Sequence, residues 1–198
     1  MKEKDIIKNE IKNLKVQEKR RKNKKIVDYN WIIKVTLLAF SISLIFSFMS
    51  ETVLPNVNVV LGIIILIVFI FLGIIFDMIG VAITSADEKQ FHSMNSRKIR
   101  GANIAVKFIK NADKMSSFCN DVVGDICGIV SGSAGTIVAL SVASMLKIDK
   151  FIVTLLITAL IAALTIGGKA LGKSYAINKN NLILYKFAKA ISYIYPKK

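Results

Sequence analysis

Asp121 and Asp125 lie four residues apart at the start of an apolar segment of this 198-residue chain. That spacing puts two side chains on one face of a helix, so both carboxylates point the same way. A carboxylate inside a bilayer costs about 2.5–3.5 kcal/mol on insertion scales, and such groups are found paired or bound. This pair is therefore the first candidate for chemistry in the sequence.

Other oxygen-bearing side chains can join the pair if the second and third apolar segments pack side by side. Carboxylate, hydroxyl and amide oxygens are the ligands of hard cations such as Mg²⁺. We therefore predict a site for a divalent cation, with Mg²⁺ as the transported or sensed ion rather than a resident cofactor. The candidate ligands are Asp77, Asp121, Asp125, Ser117 and Asn120.

A simpler interpretation competes with the cation site. In it Asp121 caps a helix, while Asp87 and Glu88 are solvated or pair with Lys89. Signals for an enzyme are weak, because His92 is the one histidine and no catalytic triad order, Cys/His metal cluster or phosphate-binding glycine loop occurs. We predict that the protein is not an enzyme.

Small residues recur along the third apolar segment at helical spacing. Without a hydrophobic force between helices in lipid, small residues hold helices together by close backbone approach. The pattern predicts a helix-packing face, and both packing within one chain and a homodimer seam fit it. We expect the protein to be a homodimer. The face consists of Gly124, Gly128, Gly132 and Gly135, with Ser131, Ser133 and Ala134.

The two cysteines, Cys119 and Cys127, belong to the same segment. Their spacing of eight fits no zinc or redox motif. We expect both to be small buried apolar residues.

Composition places the chain among membrane proteins. It is 54% hydrophobic and carries a net charge of +15, with long apolar runs alternating with basic connectors. We predict an all-α polytopic membrane protein with four transmembrane helices and cytoplasmic interfacial helices, and no nucleic-acid partner. The domains are a basic cytoplasmic arm (1–28) and a transmembrane domain (29–198), with spans at 31–49, 59–83, 122–146 and 151–168 and interfacial helices within 86–118 and 174–195.

Loop charge predicts the orientation. Segments 1–28, 84–120 and 169–198 hold twenty-five of the twenty-eight basic residues, so both termini and the long connector should be cytoplasmic. We expect a multi-pass protein of the plasma (inner) membrane whose basic segments contact anionic lipid headgroups. Pro55 falls in the first outer turn.

From about residue 59 onward, the order of elements resembles the transmembrane domain of the CNNM/CorB–CorC magnesium-transport family. Segment 100–113 is similar to the family's belt segment, and Gly124-Asp125 stands where the family tends to have Gly-Asn. Segment 168–173 is similar to its exit motif, which is followed by a helix and a proline, here Pro196.

The resemblance implies transport or sensing of Mg²⁺ or another divalent cation by a short, divergent member without CBS domains. Lys169 stands in place of the exit Glu and Gly172 in place of the exit Pro, and segment 84–88 is a loose counterpart of the motif that ends the family's first span. The alternative is a non-transporting scaffold or partner subunit, in which the acids pair with Lys169 or Lys173. A third hypothesis is a membrane-surface regulator that works through the basic arm.

Overall fold

The computed structural model describes residues 29–53 and 57–194. The predicted basic arm, Pro55 and Pro196 lie outside the described residues. The chain divides into two compact units, Met1–Leu38 and Ala39–Lys198. In the first unit the described residues, 29–38, are helical; the contacts considered below are all within the second.

The described residues form eight α-helices and one π-helical segment, with no strand among them. This confirms the predicted all-α class. In chain order they are α1 (Tyr29–Val53), α2 (Val59–Ser85), α3 (Glu88–Ser96), α4 (Ala102–Lys110), α5 (Ala112–Ser117), the π-helical segment (Phe118–Val123), α6 (Gly124–Leu146), α7 (Lys150–Asn178) and α8 (Asn180–Ile194).

Four helical stretches are long and apolar enough to cross a membrane: α1, α2, the continuous run Ala112–Leu146, and α7. Their number agrees with the four predicted spans and is compatible with a multi-pass membrane protein. Two of them extend well past the predicted apolar spans, since the third begins at Ala112 and the fourth ends at Asn178. Hydropathy marks where apolar side chains stop, whereas a helix continues until a residue breaks it, and 169–178 contains no proline.

The core forms where α2 runs antiparallel to the π-helical segment and α6. A Cβ added at Gly62 would lie 3.0 Å from Val138 Cγ2, and one added at Gly73 would lie 3.2 Å from Cys127 Cβ. Such short distances show that the two backbones approach closely at successive heights. The helix α7 completes the core through a buried cluster of Leu66, Ile70, Ala134 and Ile161.

The helices α3, α4 and α8 pack together at the Ser85 end of α2. Phe91, Leu184 and Ala188 are buried between them. Two hydrogen bonds tie the start of α8 to its neighbours. Asn180 Nδ2 donates to Ser85 O at the end of α2 (2.5 Å), and the backbone N–H of Asp87, which precedes α3, donates to Asn181 Oδ1 (2.9 Å). The long connector and the C-terminal tail, both predicted to hold interfacial helices, therefore meet at one end of the bundle.

Gly101 separates α3 from α4. Its φ of +86° lies in the left-handed region, which other residues rarely adopt. A Cβ at this position would also lie 2.9 Å from the backbone of Lys189 in α8. The neighbouring Arg100 guanidinium stacks over the Tyr193 ring at 3.9 Å, so this turn joins α4 to α8.

We expect Gly101→Ala to lower the stability of the folded protein by about 1–2 kcal/mol, because the left-handed conformation opposes any Cβ. Gly167→Ala in α7 is the matched control, since a Cβ there meets no atom within 4 Å. Alanine favours helices by up to about 1 kcal/mol over glycine, so the control should be neutral or stabilising. Thermal unfolding in detergent compares the two, and an equal effect would contradict this account of the turn.

Candidate functional site

Asp77 is the buried carboxylate of the bundle, with only 3% of its surface exposed. It lies in α2 between Gly73 and Gly80, on the face that packs against the third candidate span. Gly73 contacts Cys127, and Gly80 lies against the side chain of Asn120. Because the helices are antiparallel, Asp77 falls at the height where the π-helical segment joins α6.

An ammonium group reaches this carboxylate from α7. Lys173 Nζ lies 3.3 Å from Asp77 Oδ2, and the Lys173 side chain is half exposed. The distance is that of an ion pair, but its geometry is not that of a hydrogen bond, so Oδ2 keeps free acceptor capacity. Gly172 allows this approach, since a Cβ there would lie 2.8 Å from Met78 Cγ.

Lys169 brings a second ammonium group one turn earlier in α7. Its Nζ lies 3.6 Å from where a Cβ on Gly124 would be, at the start of α6. Lys169 and Lys173 are four residues apart and therefore share one face of α7. That face carries two positive charges toward the junction between the π-helical segment and α6.

The π-helical segment Phe118–Val123 supplies the neutral oxygen of the site. Its wider turn is visible in the backbone, where the Gly124 N–H donates to Cys119 O, five residues back. Asn120 Nδ2 donates to Ser116 Oγ at 3.4 Å, whereas Asn120 Oδ1 is buried without a hydrogen-bond partner. Single π-helical turns are rare and are frequent at functional sites.

The predicted ligands do not converge on one point. Asp77 and Asn120 lie at the interface between α2 and the third candidate span. Ser117 is partly buried, and Asp121 and Asp125 are exposed. Successive residues differ by about 100° around a helix. Since Asn120 and Gly124 face α2, the residue that follows each of them must point elsewhere.

Among the described residues, no three His, Cys, Asp or Glu side chains lie close enough together to hold a metal ion. This finding concerns only those four residue types. The predicted ligand set also includes Ser117 and Asn120, so it stays a prediction. What the structure does bring together is one carboxylate, one amide oxygen and two ammonium groups.

The interpretation of the acidic residues as caps and surface groups, without a cation site, holds only in part. Asp87 is the N-cap of α3, accepting from the Lys89 backbone N–H at 3.0 Å, and Glu88 pairs with His92 at 3.1 Å. Asp121 lies inside the π-helical segment rather than at a cap position. Both cysteines are free and buried, as expected.

The predicted glycine face divides in two. Gly135 lies against Ile161 of α7, and Gly124 is buried, with the Lys169 ammonium close by. A Cβ at Gly128 or Gly132 would meet no atom of the described chain within 4 Å. The reason is geometric: each four-residue step advances about 40° around the helix, whereas the eleven residues from Gly124 to Gly135 return to within about 20°.

Gly80 was not among the predicted packing residues, and Lys173 was named only as an alternative partner of the acids. Gly73, Asp77 and Gly80 recur at spacings of four and three in α2, which is the signal of a small-residue face with a buried acid in it. An apolar run of such uniform hydropathy conceals this pattern unless small residues are considered separately from large ones.

Comparisons of the chain with protein-family models, curated proteins and solved structures find no match. The resemblance to the CNNM/CorB–CorC family therefore stays a prediction. The class that the structure defines is an all-helical protein with four helices suited to crossing a membrane, in whose described part the buried Asp77 pairs with the half-exposed Lys173.

We expect Lys173→Met to destabilise the protein by about 1–3 kcal/mol, because it leaves the buried Asp77 carboxylate uncompensated. This is less than the 3–5 kcal/mol or so typical of fully buried pairs, since Lys173 is half exposed. Lys173→Arg should retain most of the stability, and Asp77→Asn combined with Lys173→Met should recover it.

A double-mutant cycle on unfolding in mixed micelles measures the coupling between the two residues. If the two single substitutions add with no coupling, the ion pair does not hold α2 to α7.

Proposed function

We propose that this chain is a non-conducting subunit of a membrane assembly and that it binds a helix of another membrane protein along one face of α6. We define this open face by Asp125, Gly128, Ile129, Gly132 and Thr136. The observation that carries the proposal is that Gly128 and Gly132 have open space where a Cβ would be. Most other helical glycines of the bundle are used for close packing within the chain.

Six glycines establish this contrast. A Cβ at any of them would lie within about 3.2 Å of another part of the chain, so each of these glycines lies in a close contact. They are Gly62, Gly73, Gly80, Gly135, Gly168 and Gly172. Gly128 and Gly132 have the spacing of helix-contact motifs, but a Cβ at either would meet no atom of the described chain within 4 Å, which supports an external contact.

The charge of the open face favours a partner different from the chain itself. Asp125 is exposed beside the glycines, and Asp121 is exposed one turn before it. A parallel homodimer through this face would bring like charges together, which is unfavourable. A partner helix with Lys or Arg at this height would pair with the acids and offset the cost of holding them near lipid. The predicted homodimer is the alternative outcome.

The Asp77–Lys173 pair supports a non-conducting role. A cation pathway through the bundle needs an oxygen cluster that a mobile ion can occupy. Here an ammonium group already lies 3.3 Å from the carboxylate, and Lys169 adds a second positive charge. Both lysines oppose entry of a divalent cation at this point.

Charge also supports the orientation that we propose for this subunit. The helices α3, α4 and α8 lie at one end of the bundle and carry exposed Lys107, Lys110 and Lys186 among other basic residues. Positive-inside asymmetry puts this end in the cytoplasm of a multi-pass plasma-membrane protein. The exposed lysines there suit anionic headgroups.

A second candidate function, handling of Mg²⁺ or another divalent cation, has one observation in its favour. Asp77 Oδ2 and Asn120 Oδ1 are both buried without a hydrogen-bond partner. Two such oxygens at a π-helical turn are available to a ligand that brings positive charge. A cation would have to displace Lys173 to use both of them.

Photo-crosslinking tests the leading proposal. A photoreactive residue at Ile129, which is 48% exposed, should give an adduct with a basic transmembrane partner in native membranes. Gly128→Leu should weaken this association at least about tenfold, or about 1.4 kcal/mol, because the added side chain separates the helices. Gly167→Leu is the control, as its site is equally open but lies on α7.

An adduct that persists in Gly128→Leu would contradict docking on the open face. An adduct formed only with a second copy of the chain would support the homodimer and overturn the heterologous partner.

Mg²⁺ flux into proteoliposomes tests the cation-handling candidate. A transporter should lose flux in Asp77→Asn, and also in Asp125→Asn if the sequence-predicted site is the relevant one. The non-conducting proposal expects no flux in the wild type or in either variant, with the protein folded. Flux that depends on Asp77 would refute the non-conducting role.

A further inference from the structure

A separate cavity lies between the second half of α1 and the bundle, within the unit Ala39–Lys198. Its volume is about 150 Å³. The apolar lining comes from three helices: Phe46, Met49 and Val53 of α1, Ile65 and Phe69 of α2, and Val130 of α6. Edge-to-face packing of the Phe46 and Phe69 rings, with centroids 5.9 Å apart, holds α1 to α2 beside it.

One polar side chain lines this apolar cavity. Ser50 is only 5% exposed, and its Oγ is buried without a hydrogen-bond partner. Several other helical serines donate to a carbonyl of the preceding turn, as Ser131 does to Gly128 O (3.0 Å) and Ser141 to Ile137 O (3.0 Å). A buried hydroxyl that makes no hydrogen bond costs about 1–3 kcal/mol, so Ser50 is expected to have an acceptor from outside the chain.

The dimensions of the cavity indicate the kind of ligand. An apolar cavity of about 150 Å³ accepts a group the size of benzene, so it can hold about six carbon atoms. A helix rises about 1.5 Å per residue. Ser50 therefore lies about 5 Å from the Val53 end of α1, and Phe69 about 15 Å from the Val59 end of α2.

These heights match one leaflet of a bilayer. In a bilayer whose hydrocarbon core is about 30 Å thick, a spanning helix has its ends near the headgroups. Ser50 would then lie near the ester level and Phe69, about 15 Å deep, near the middle of the bilayer, so the lining follows an acyl chain inward from its ester. An ester carbonyl is an acceptor without a donor of its own, which suits a lone hydroxyl in an apolar lining.

We propose that this cavity binds one acyl chain of a phospholipid, whose ester carbonyl accepts a hydrogen bond from the Ser50 hydroxyl. The inference rests on the membrane insertion proposed above, but it uses no property of the open face of α6. A bound chain fills the space between α1 and the bundle and supplies the hydrogen bond that Ser50 lacks within the protein.

The test is lipid binding to the full chain, measured by native mass spectrometry as an apparent Kd for two phospholipids. The two lipids have the same headgroup and chain length, but one has ester links and the other has ether links, which lack the carbonyl. Wild type should bind the ester lipid about 3–10-fold more tightly, the range expected for one net hydrogen bond. In Ser50→Ala this preference should disappear, because the ester lipid loses its donor.

A cavity-filling variant tests whether the acyl chain lies in the cavity. Val130→Phe should weaken the binding of both lipids, since the added ring occupies the space of the acyl chain. Val68→Phe is the control, as Val68 lies on α2 but is 49% exposed and does not line the cavity. The ester–ether comparison in wild type needs no substitution, so it decides the question even if Val130→Phe does not fold.

Equal binding of the two lipids by wild type would overturn the hydrogen bond to Ser50, and undiminished binding by folded Val130→Phe would overturn the cavity as the site. Self-association that Val130→Phe abolishes, with lipid binding unaltered, would assign the cavity to a second copy instead. Incorporation into nanodiscs is measured separately, so failed membrane insertion is distinguished from failed lipid binding. Partner crosslinking at Ile129 is independent of all these results.

Discussion

Close contact between the backbone of α2 and the third candidate span, Ala112–Leu146, is the constraint on which the rest of the structure depends. Gly62, Gly73 and Gly80 in α2 meet Val138, Cys127 and Asn120 in turn, so a side chain at these contact points would have to displace its neighbour. In lipid this contact gains nothing from the hydrophobic effect and relies on close van der Waals packing. The same contact determines which residues of the third candidate span face the interior of the bundle, and hence which polar groups can meet Asp77.

The polar cluster is a consequence of this geometry and of one ion pair. Asp77 is held in the interior by the glycines on either side of it, and Lys173 compensates its charge from α7. A buried pair gives little net stability when compared with apolar residues, but loss of one partner is costly. The pair therefore acts as a constraint on how α2 and α7 are aligned. In the proposed assembly it also occupies the point that a cation would need, while the π-helical turn leaves an amide oxygen beside it.

Much of the architecture was predictable from the sequence, because hydropathy and charge are local properties. The four apolar helices and the break at Gly101 follow from runs of residues near to each other in the chain. The length of α7 was underestimated, because hydropathy falls after Gly168 while the helix continues through 169–178, where no proline breaks it and Gly172 and Ala176 are buried. The roles of Gly128 and Gly135 could not be separated either, because their spacing reads as one motif until a neighbouring helix is present.

The sequence by itself determined the helical class, the number of apolar helices and the presence of acids and glycines around the third of them. Only the tertiary structure decided which acid is buried, which lysine compensates it, which glycines are used within the chain and where Ser50 lacks a partner. The physical reason is that hydropathy and helix propensity belong to a residue and its neighbours in sequence. Burial, ion pairing and empty space arise between helices, where residues such as Asp77 and Lys173 meet from nearly a hundred positions apart.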